Sequence, residues 1–310
     1  MRSSYMMIET LDLWKSYEGV DAVKALNLRI EKGRSFGLVG PNGAGKTTTI
    51  RMLAGLLVPS AGVVRIDGVD IFKHPSDIMP RIGYLPDEYG VFEGLRVFEF
   101  LDYYAGLYKV ARRERRERIE RLLSLVRLGN WAEKFVEQLS RGMCQRLMIA
   151  KTLIHNPEIL LLDEPTSGLD PRSRAEVVEV LQHLASIGKT MVVASNILYD
   201  LSSFCDSLGI IDKGVLIDTG TLEELSDKYC REKILKATLV SGVNRVEEVL
   251  SQDKGVRSFS VEGDTVTLRY DGTVEDVANL NEKLVYAGVR LTGLCQERRT
   301  IEEIFLRATS

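Results

Sequence analysis

Gly40-Pro41-Asn42-Gly43-Ala44-Gly45-Lys46-Thr47-Thr48 has the residue types and spacing to hold a polyphosphate. Glycines let the backbone turn tightly enough for successive N–H groups to point at one anion, and the positive end of a following helix dipole adds to them. In the pattern G-x-x-x-x-G-K-[ST] the lysine reaches the β and γ phosphates and the next hydroxyl ligates Mg²⁺. Those residues are Lys46 and Thr47. A second pair of groups suits the same chemistry. Asp163 and Glu164 end the apolar run Ile159 to Leu162, so two adjacent carboxylates stand at the tip of a buried strand. There Asp163 can hold Mg²⁺ through water, and Glu164 can polarise an attacking water as general base.

Both motifs need strands and helices to position them. Phe36 to Val39 is an apolar run of the kind that fills a buried parallel strand, and Thr49 to Ala54 opens a helix. Further strand candidates are Ile82 to Leu85, Thr190 to Ala194 and Leu208 to Ile211, alternating with helical patterns from about Ile8 to Asp227. This is the layout of an α/β domain with a mostly parallel sheet. Between Phe92 and Asn156 the pattern turns helical, which predicts a helical subdomain inserted in the α/β core. Within it, Lys109 to Arg121 is dense in arginine and glutamate, with Arg113 and Glu117, and Glu117 and Arg121, four apart. We read it as a solvated face laced with ion pairs; contact with anionic lipid or a membrane subunit is the minor alternative.

After Lys228 the pattern resets. Leu235 to Val240 reads as a strand and Val243 to Gln252 as a helix with Val246, Val249 and Leu250 on one face. A hairpin through Glu262-Gly263-Asp264, a helix marked by Val274, Val277, Leu280 and Leu284, and a strand from Arg290 to Leu294 follow. The order β-α-β-β-α-β predicts a small ferredoxin-like unit. Thr300-Ile301-Glu302-Glu303 forms a capping box before a final helix through Leu306. No catalytic constellation falls here, so the expected role is regulatory or interfacial. The expected division is 1–229 and 230–310, with the helical subdomain at about 92–156.

Composition sets the bounds. With 310 residues, 45% of them hydrophobic, the chain can bury a large domain and a smaller one. A formal net charge of −3 gives no reason to expect nucleic acid as a partner. Cys144, Cys205, Cys230 and Cys295 lie far apart, which fits neither a zinc site nor a disulfide framework and points to a reducing, cytosolic compartment. No run approaches the roughly 18 apolar residues that cross a bilayer, so work on a membrane would need another chain.

Leu139-Ser140-Arg141-Gly142-Met143-Cys144-Gln145-Arg146 precedes a helix with Leu147, Ala150 and Ile154 on one face. Here the chain strongly resembles the ATP-binding-cassette (ABC) ATPases, whose signature is close to Leu-Ser-Gly-Gly-Gln ahead of a helix. The resemblance covers about Ile8 to Asp227 and implies a P-loop ATPase core binding ATP and Mg²⁺. It places Tyr17 as the aromatic that stacks on adenine, Ser167 to Asp170 as the D-loop, and Asp87 at the Q-loop position that helps hold Mg²⁺ or water. It also implies that Ser140 and Gly142 contact the γ-phosphate held by a second subunit, so that ATP joins a head-to-tail dimer, homomeric or heteromeric.

Two positions depart from that family. Asp87 stands where glutamine or glutamate is expected, and Asn196 stands where histidine is expected. Asn196 can donate a hydrogen bond to the γ-phosphate but cannot carry charge or shuttle a proton. Losing one such transition-state contact costs on the order of 10²–10³ in rate. Either hydrolysis is slow or completed by a partner, or Glu164 suffices and the enzyme is ordinary. The Ser-Arg-Gly-Met signature and the tail from Thr300 to Leu306 resemble exporter ATPases. The expected function is therefore the ATP-hydrolysing subunit of an exporter, peripheral on the cytoplasmic face of the membrane and paired with a separate permease. The alternatives are a soluble non-transport ABC ATPase and a slow-hydrolysing ATP sensor.

Overall fold

The computed structural model describes residues 6–90, 94–229, 233–297, 304, 308 and 309. The capping box Thr300 to Glu303 and the end of its helix at Leu306 lie outside the described residues, as does Cys230. Two compact units divide after Leu222.

The first unit opens with β1 (Met6–Tyr17), β2 (Val20–Leu26) and β3 (Arg29–Glu31). Next come β4 (Ser35–Val39), α1 (Lys46–Leu53), β5 (Ala61–Ile66), β6 (Val69–Asp70), a short α2 (Pro75–Ile78) and β7 (Ile82–Leu85). The helices α3 (Val97–Leu107), α4 (Arg112–Leu125) and α5 (Arg141–Leu153) follow before β8 (Ile159–Asp163). The unit closes with α6 (Pro171–Ser186), β9 (Thr190–Ser195), α7 (Leu198–Leu201), β10 (Ser207–Asp212) and β11 (Val215–Gly220).

Among the described residues these strands form two sheets. β2, β1, β5 and β6 neighbour one another in that order, with β3 also on β1, and the pairs are antiparallel. The other sheet runs β11-β10-β4-β9-β8-β7, parallel except for the β10–β11 pair. β4, β8 and β9 are buried along their whole length, as expected of strands covered on both faces. Ile50, Met52 and Leu53 of α1 join Leu38, Leu161 and Val192 in one core. Each such side chain, once buried, stabilises the unit by about 1.5–3 kcal/mol.

In α4 the ion pairs are Arg116 with Glu120, Arg121 with Glu117 and Arg118 with Glu114. Arg113 corrects the expectation: it reaches the adjacent Glu114 instead of Glu117. Arg115 turns off the solvated face, its Nε donating to the Val110 carbonyl at 2.9 Å.

The division between units falls inside α8 (Leu222–Tyr229). The second unit continues with β12 (Lys233–Ser241), α9 (Val243–Gln252), β13 (Val256–Glu262), β14 (Thr265–Tyr270), α10 (Val274–Tyr286) and β15 (Arg290–Glu297). Its sheet order is β13-β14-β12-β15, all neighbours antiparallel. That order interleaves two split β-α-β crossings. Leu235, Leu239, Val246, Leu250, Val266, Leu268, Leu280 and Leu284 make its core.

Candidate nucleotide-binding and hydrolysis site

The parallel sheet's carboxyl edge gathers four loops. Register sets Val39 of β4 against Ser195 of β9, Asp163 of β8 against Ala194 of β9, and Leu85 of β7 against Leu162 of β8. The chain leaves these strands at one level, so the phosphate loop, Asp87, Glu164 and Asn196 emerge side by side. In open α/β sheets this edge is where ligands bind. Gly45 caps α1 at φ 105°, and a Cβ there would collide with the Ala22 carbonyl oxygen on β2. Buried Ala44 accepts from the Gly214 N–H at 2.9 Å, and Gly214 in turn accepts from the Lys24 N–H at 2.7 Å. The loop is thereby stitched to β2 and to the β10–β11 turn. Asn42 and Gly43 are exposed, and Thr47 and Thr48 half-buried.

Lys46 is buried, and its three ammonium hydrogens have three acceptors. Nζ lies 2.8 Å from the Gly40 carbonyl, 3.3 Å from the Pro41 carbonyl and 3.2 Å from Glu164 Oε1. Glu164 stands at φ 48°, a left-handed conformation that costs about 1 kcal/mol or more for a residue with a side chain. Three contacts hold it there: the Lys46 pair, its N–H donating to the Ala194 carbonyl at 2.8 Å, and Oε2 accepting the Asn196 N–H at 3.2 Å. The Asn196 side chain stays exposed.

Asp163 has no exposed surface, and neither carboxylate oxygen has a hydrogen-bonded partner. Burial pushes its acid up to about 6; the Thr47 hydroxyl opposes the rise, the charges of Asp87 and Glu164 add to it, and Lys46 lowers it. Thr47 is thus near Asp163 without meeting hydrogen-bond geometry. An orphaned buried carboxylate beside a hydroxyl is a donor set that suits Mg²⁺, which prefers oxygen and keeps several waters. Among the described residues no three His, Cys, Asp or Glu side chains form a ready cage, so any ion here would rely on waters and phosphate oxygens. Asp87 is exposed and lines a cleft with Tyr89, Arg141, Cys144, Glu164 and Ser167. Burial pushes the Tyr89 phenol up to about 12.

Residues 23–167 match the family described as ABC transporter. Over 98% of this chain and 98% of its own length, the linearmycin resistance ATP-binding protein LnrL of Bacillus subtilis is 32% identical. The daunorubicin/doxorubicin resistance ATP-binding protein DrrA of Streptomyces peucetius is 35% identical over 97% of this chain and 92% of its own. The chain belongs to the ABC transporter ATP-binding proteins. A dimeric, post-hydrolysis structure of the ATP-binding cassette MJ0796 with ADP and phosphate covers 70% of this ABC ATPase and 99% of its own chain. Its TM-score is 0.63 at 26% identity.

In this ABC ATPase the residues singled out by sequence fall into four places. Lys46, Thr47, Asp163, Glu164, Asp87 and Asn196 meet at the sheet edge. Tyr17 ends β1, 45% exposed, and pairs across the hairpin with Val20. Ser140 is exposed at the N-cap of α5, its Oγ accepting from the Met143 N–H at 3.3 Å, while Gly142 is buried against Ser173. Asp170 is engaged as the cap of α6: its carboxylate accepts from the Arg172 and Ser173 N–H groups at 3.1 Å. The Ser173 hydroxyl and those N–H groups hold its acid below the usual range. Gln145 lies within the quoted segment Leu139 to Arg146 but has no role in the sequence reading; its buried Nε2 donates to the Pro165 carbonyl at 2.8 Å. A glutamine just ahead of the apolar run Leu147 to Ala150 is the signal that could have found it.

Proposed function

We propose that this ABC ATPase is the motor subunit of an exporter, acting on a separate membrane-spanning subunit and closing against a second ATPase subunit around ATP and Mg²⁺. The observation that carries the reading is the unpartnered, buried Asp163 carboxylate beside Thr47, one residue from the strained Glu164 on Lys46. Such a group is costly to the fold unless it serves a cation. The full-length similarity to two resistance proteins supports export, and the dimeric MJ0796 cassette supports the pairing of subunits. Among the described residues no helix is long and apolar enough to cross a membrane, which fits a motor working beneath another chain.

In this reading the backbone N–H groups from Asn42 to Thr48 cradle the phosphates, and Lys46 neutralises the β and γ positions. Thr47, Asp163 and Asp87 would hold Mg²⁺. The ion would supply neutralisation of the charge on the transferred γ-phosphoryl group and the departing ADP. Glu164 polarises the attacking water, and Asn196 orients the γ-phosphate by hydrogen bonding. Tyr17 stacks on adenine. Ser140 and Gly142, at the positive end of α5, receive the γ-phosphate of the partner's nucleotide, and Asp170 holds the D-loop beside it.

Steady-state ATP hydrolysis tests the reading. The wild-type chain turns over ATP, Glu164→Gln loses it by 10²-fold or more on the order expected for a general base, and Asn196→His raises the rate. Wild-type activity no higher than that of Glu164→Gln, with the membrane subunit present, would sink the motor assignment. If Asn196→His leaves turnover of the assembled complex unchanged, that position is not limiting.

A further inference from the structure

Resting on the reading of Tyr17 as the base platform, a neighbouring residue acquires a role. The Lys15 ammonium lies over the Tyr17 ring, 5.2 Å from its centroid, and donates to the Val58 carbonyl at 2.9 Å. The segment it reaches is fastened to β1 by two further bonds. The Ser60 N–H donates to the Trp14 carbonyl at 2.8 Å, and the Ser16 N–H donates to Ser60 Oγ at 3.1 Å. The ammonium is therefore held on the ring face that looks toward residues 58–60. Tyr17 keeps 45% of its surface open, and its cross-strand partner Val20 keeps 70%. A flat aromatic surface flanked by exposed aliphatic carbon, on the hairpin whose second strand braces Gly45, is suited to a heteroaromatic base.

We infer that Lys15 is a positioning residue for the nucleotide base: it occupies one face of Tyr17 so that the base stacks on the other. Two effects act in the same direction. A cation on one face draws π density toward itself and makes the opposite face a better surface for an electron-rich purine. Fixing the ring before the base arrives also removes a rotamer-ordering cost from binding. A cation–π contact at a half-exposed site corresponds to about a two- to five-fold change in Kd.

The test is calorimetric titration of the full chain with Mg·ATP and, as a probe lacking any base, with inorganic tripolyphosphate and Mg²⁺. Lys15→Met weakens ATP two- to five-fold and leaves tripolyphosphate unchanged, which also reports an intact phosphate site. Lys15→Arg keeps the ATP affinity of wild type. In a Tyr17→Ala background, Lys15→Met adds nothing. Unchanged or tighter ATP binding by Lys15→Met, an equal loss with tripolyphosphate, or an undiminished effect beside Tyr17→Ala would each overturn the inference. Should Tyr17→Ala bind ATP as tightly as wild type, the platform itself is wrong and the role of Lys15 falls with it. Should Tyr17→Ala weaken ATP while Lys15→Met does not, only the role of Lys15 falls.

Discussion

Replacing Asp163 by asparagine should stabilise the nucleotide-free cassette while abolishing Mg²⁺-dependent nucleotide binding. Asp163 is wholly inside, without a hydrogen-bonded partner, and burial moves its acid from 3.8 to about 6. At about 1.4 kcal/mol per tenfold change in an ionisation constant, ionised Asp163 costs the fold about 3 kcal/mol. The sign follows from proton binding. Between pH 3.8 and about 6 the native Asp163 holds a proton that the unfolded chain has released, so the contribution of this group is greatest below that window and is lost as pH rises through it. An amide in the same place still leaves water unreplaced at a cost of about 1 kcal/mol or more, so the expected net gain at pH 8 is about 1–2 kcal/mol. Urea unfolding followed by tryptophan fluorescence reads this unit alone, because Trp14 and Trp131 both belong to it. Wild type and Asp163→Asn should separate at pH 8 and converge near pH 4. A variant less stable than wild type at pH 8, or a difference as large at pH 4, would refute the reasoning.

Gly142→Ala would push a Cβ into Ser173 Oγ where α5 meets α6, an overpacking worth about 1–3 kcal/mol of destabilisation in thermal melting; Ser173→Gly beside it should restore most of the loss. Cys205 and Cys295 should differ in alkylation followed by mass spectrometry. Although part of Cys205 reaches the surface, its Sγ packs 3.3 Å from where a Cβ on Gly37 would sit, and burial raises its thiol well above the usual value. Cys295 is exposed. Iodoacetamide at pH 8 should modify Cys295 at least tenfold faster in the native chain, since the thiolate is the reacting form, and equal rates would contradict this packing.

The parallel strands are legible in the sequence because each is buried on both faces and reads as an unbroken apolar run, as Ile159 to Leu162 does. The antiparallel sheet is not. β1 runs for 12 residues with register shifts around Leu13, Lys15 and Ser16, so no period of two survives for a pattern to find. Sequence reasoning accordingly names no strand before Ser35. Helices α9 and α10 are legible from their apolar faces, Val246 with Leu250 and Leu280 with Leu284. Asp163 and Glu164 can be named from order alone, but their different states cannot. One is orphaned and the other paired with Lys46 because β8 stops level with β9, a register that no local pattern encodes. Arg113 fails for a related reason: spacing permits two partners, and rotamers choose between them.

The segment after Glu164 links the start of α5 to the start of α6. Its first residue, Pro165, accepts the buried Gln145 amide from α5; Gly168 lies under the Arg141 guanidinium; Asp170 caps α6, whose first turn receives Gly142. Parting Gln145 from Pro165 would leave a buried donor and a buried acceptor unsatisfied, at about 1–3 kcal/mol each. The start of α5 and the segment 165–173 therefore move together more cheaply than apart. Glu164 immediately precedes that segment and is paired with Lys46 at the start of α1. A load on the α5 end thus reaches Glu164 through one hydrogen bond and the Glu164–Pro165 peptide link. Where α5 serves a partner's nucleotide and Glu164 acts as general base, closure of the partner and the pose of Glu164 become one event.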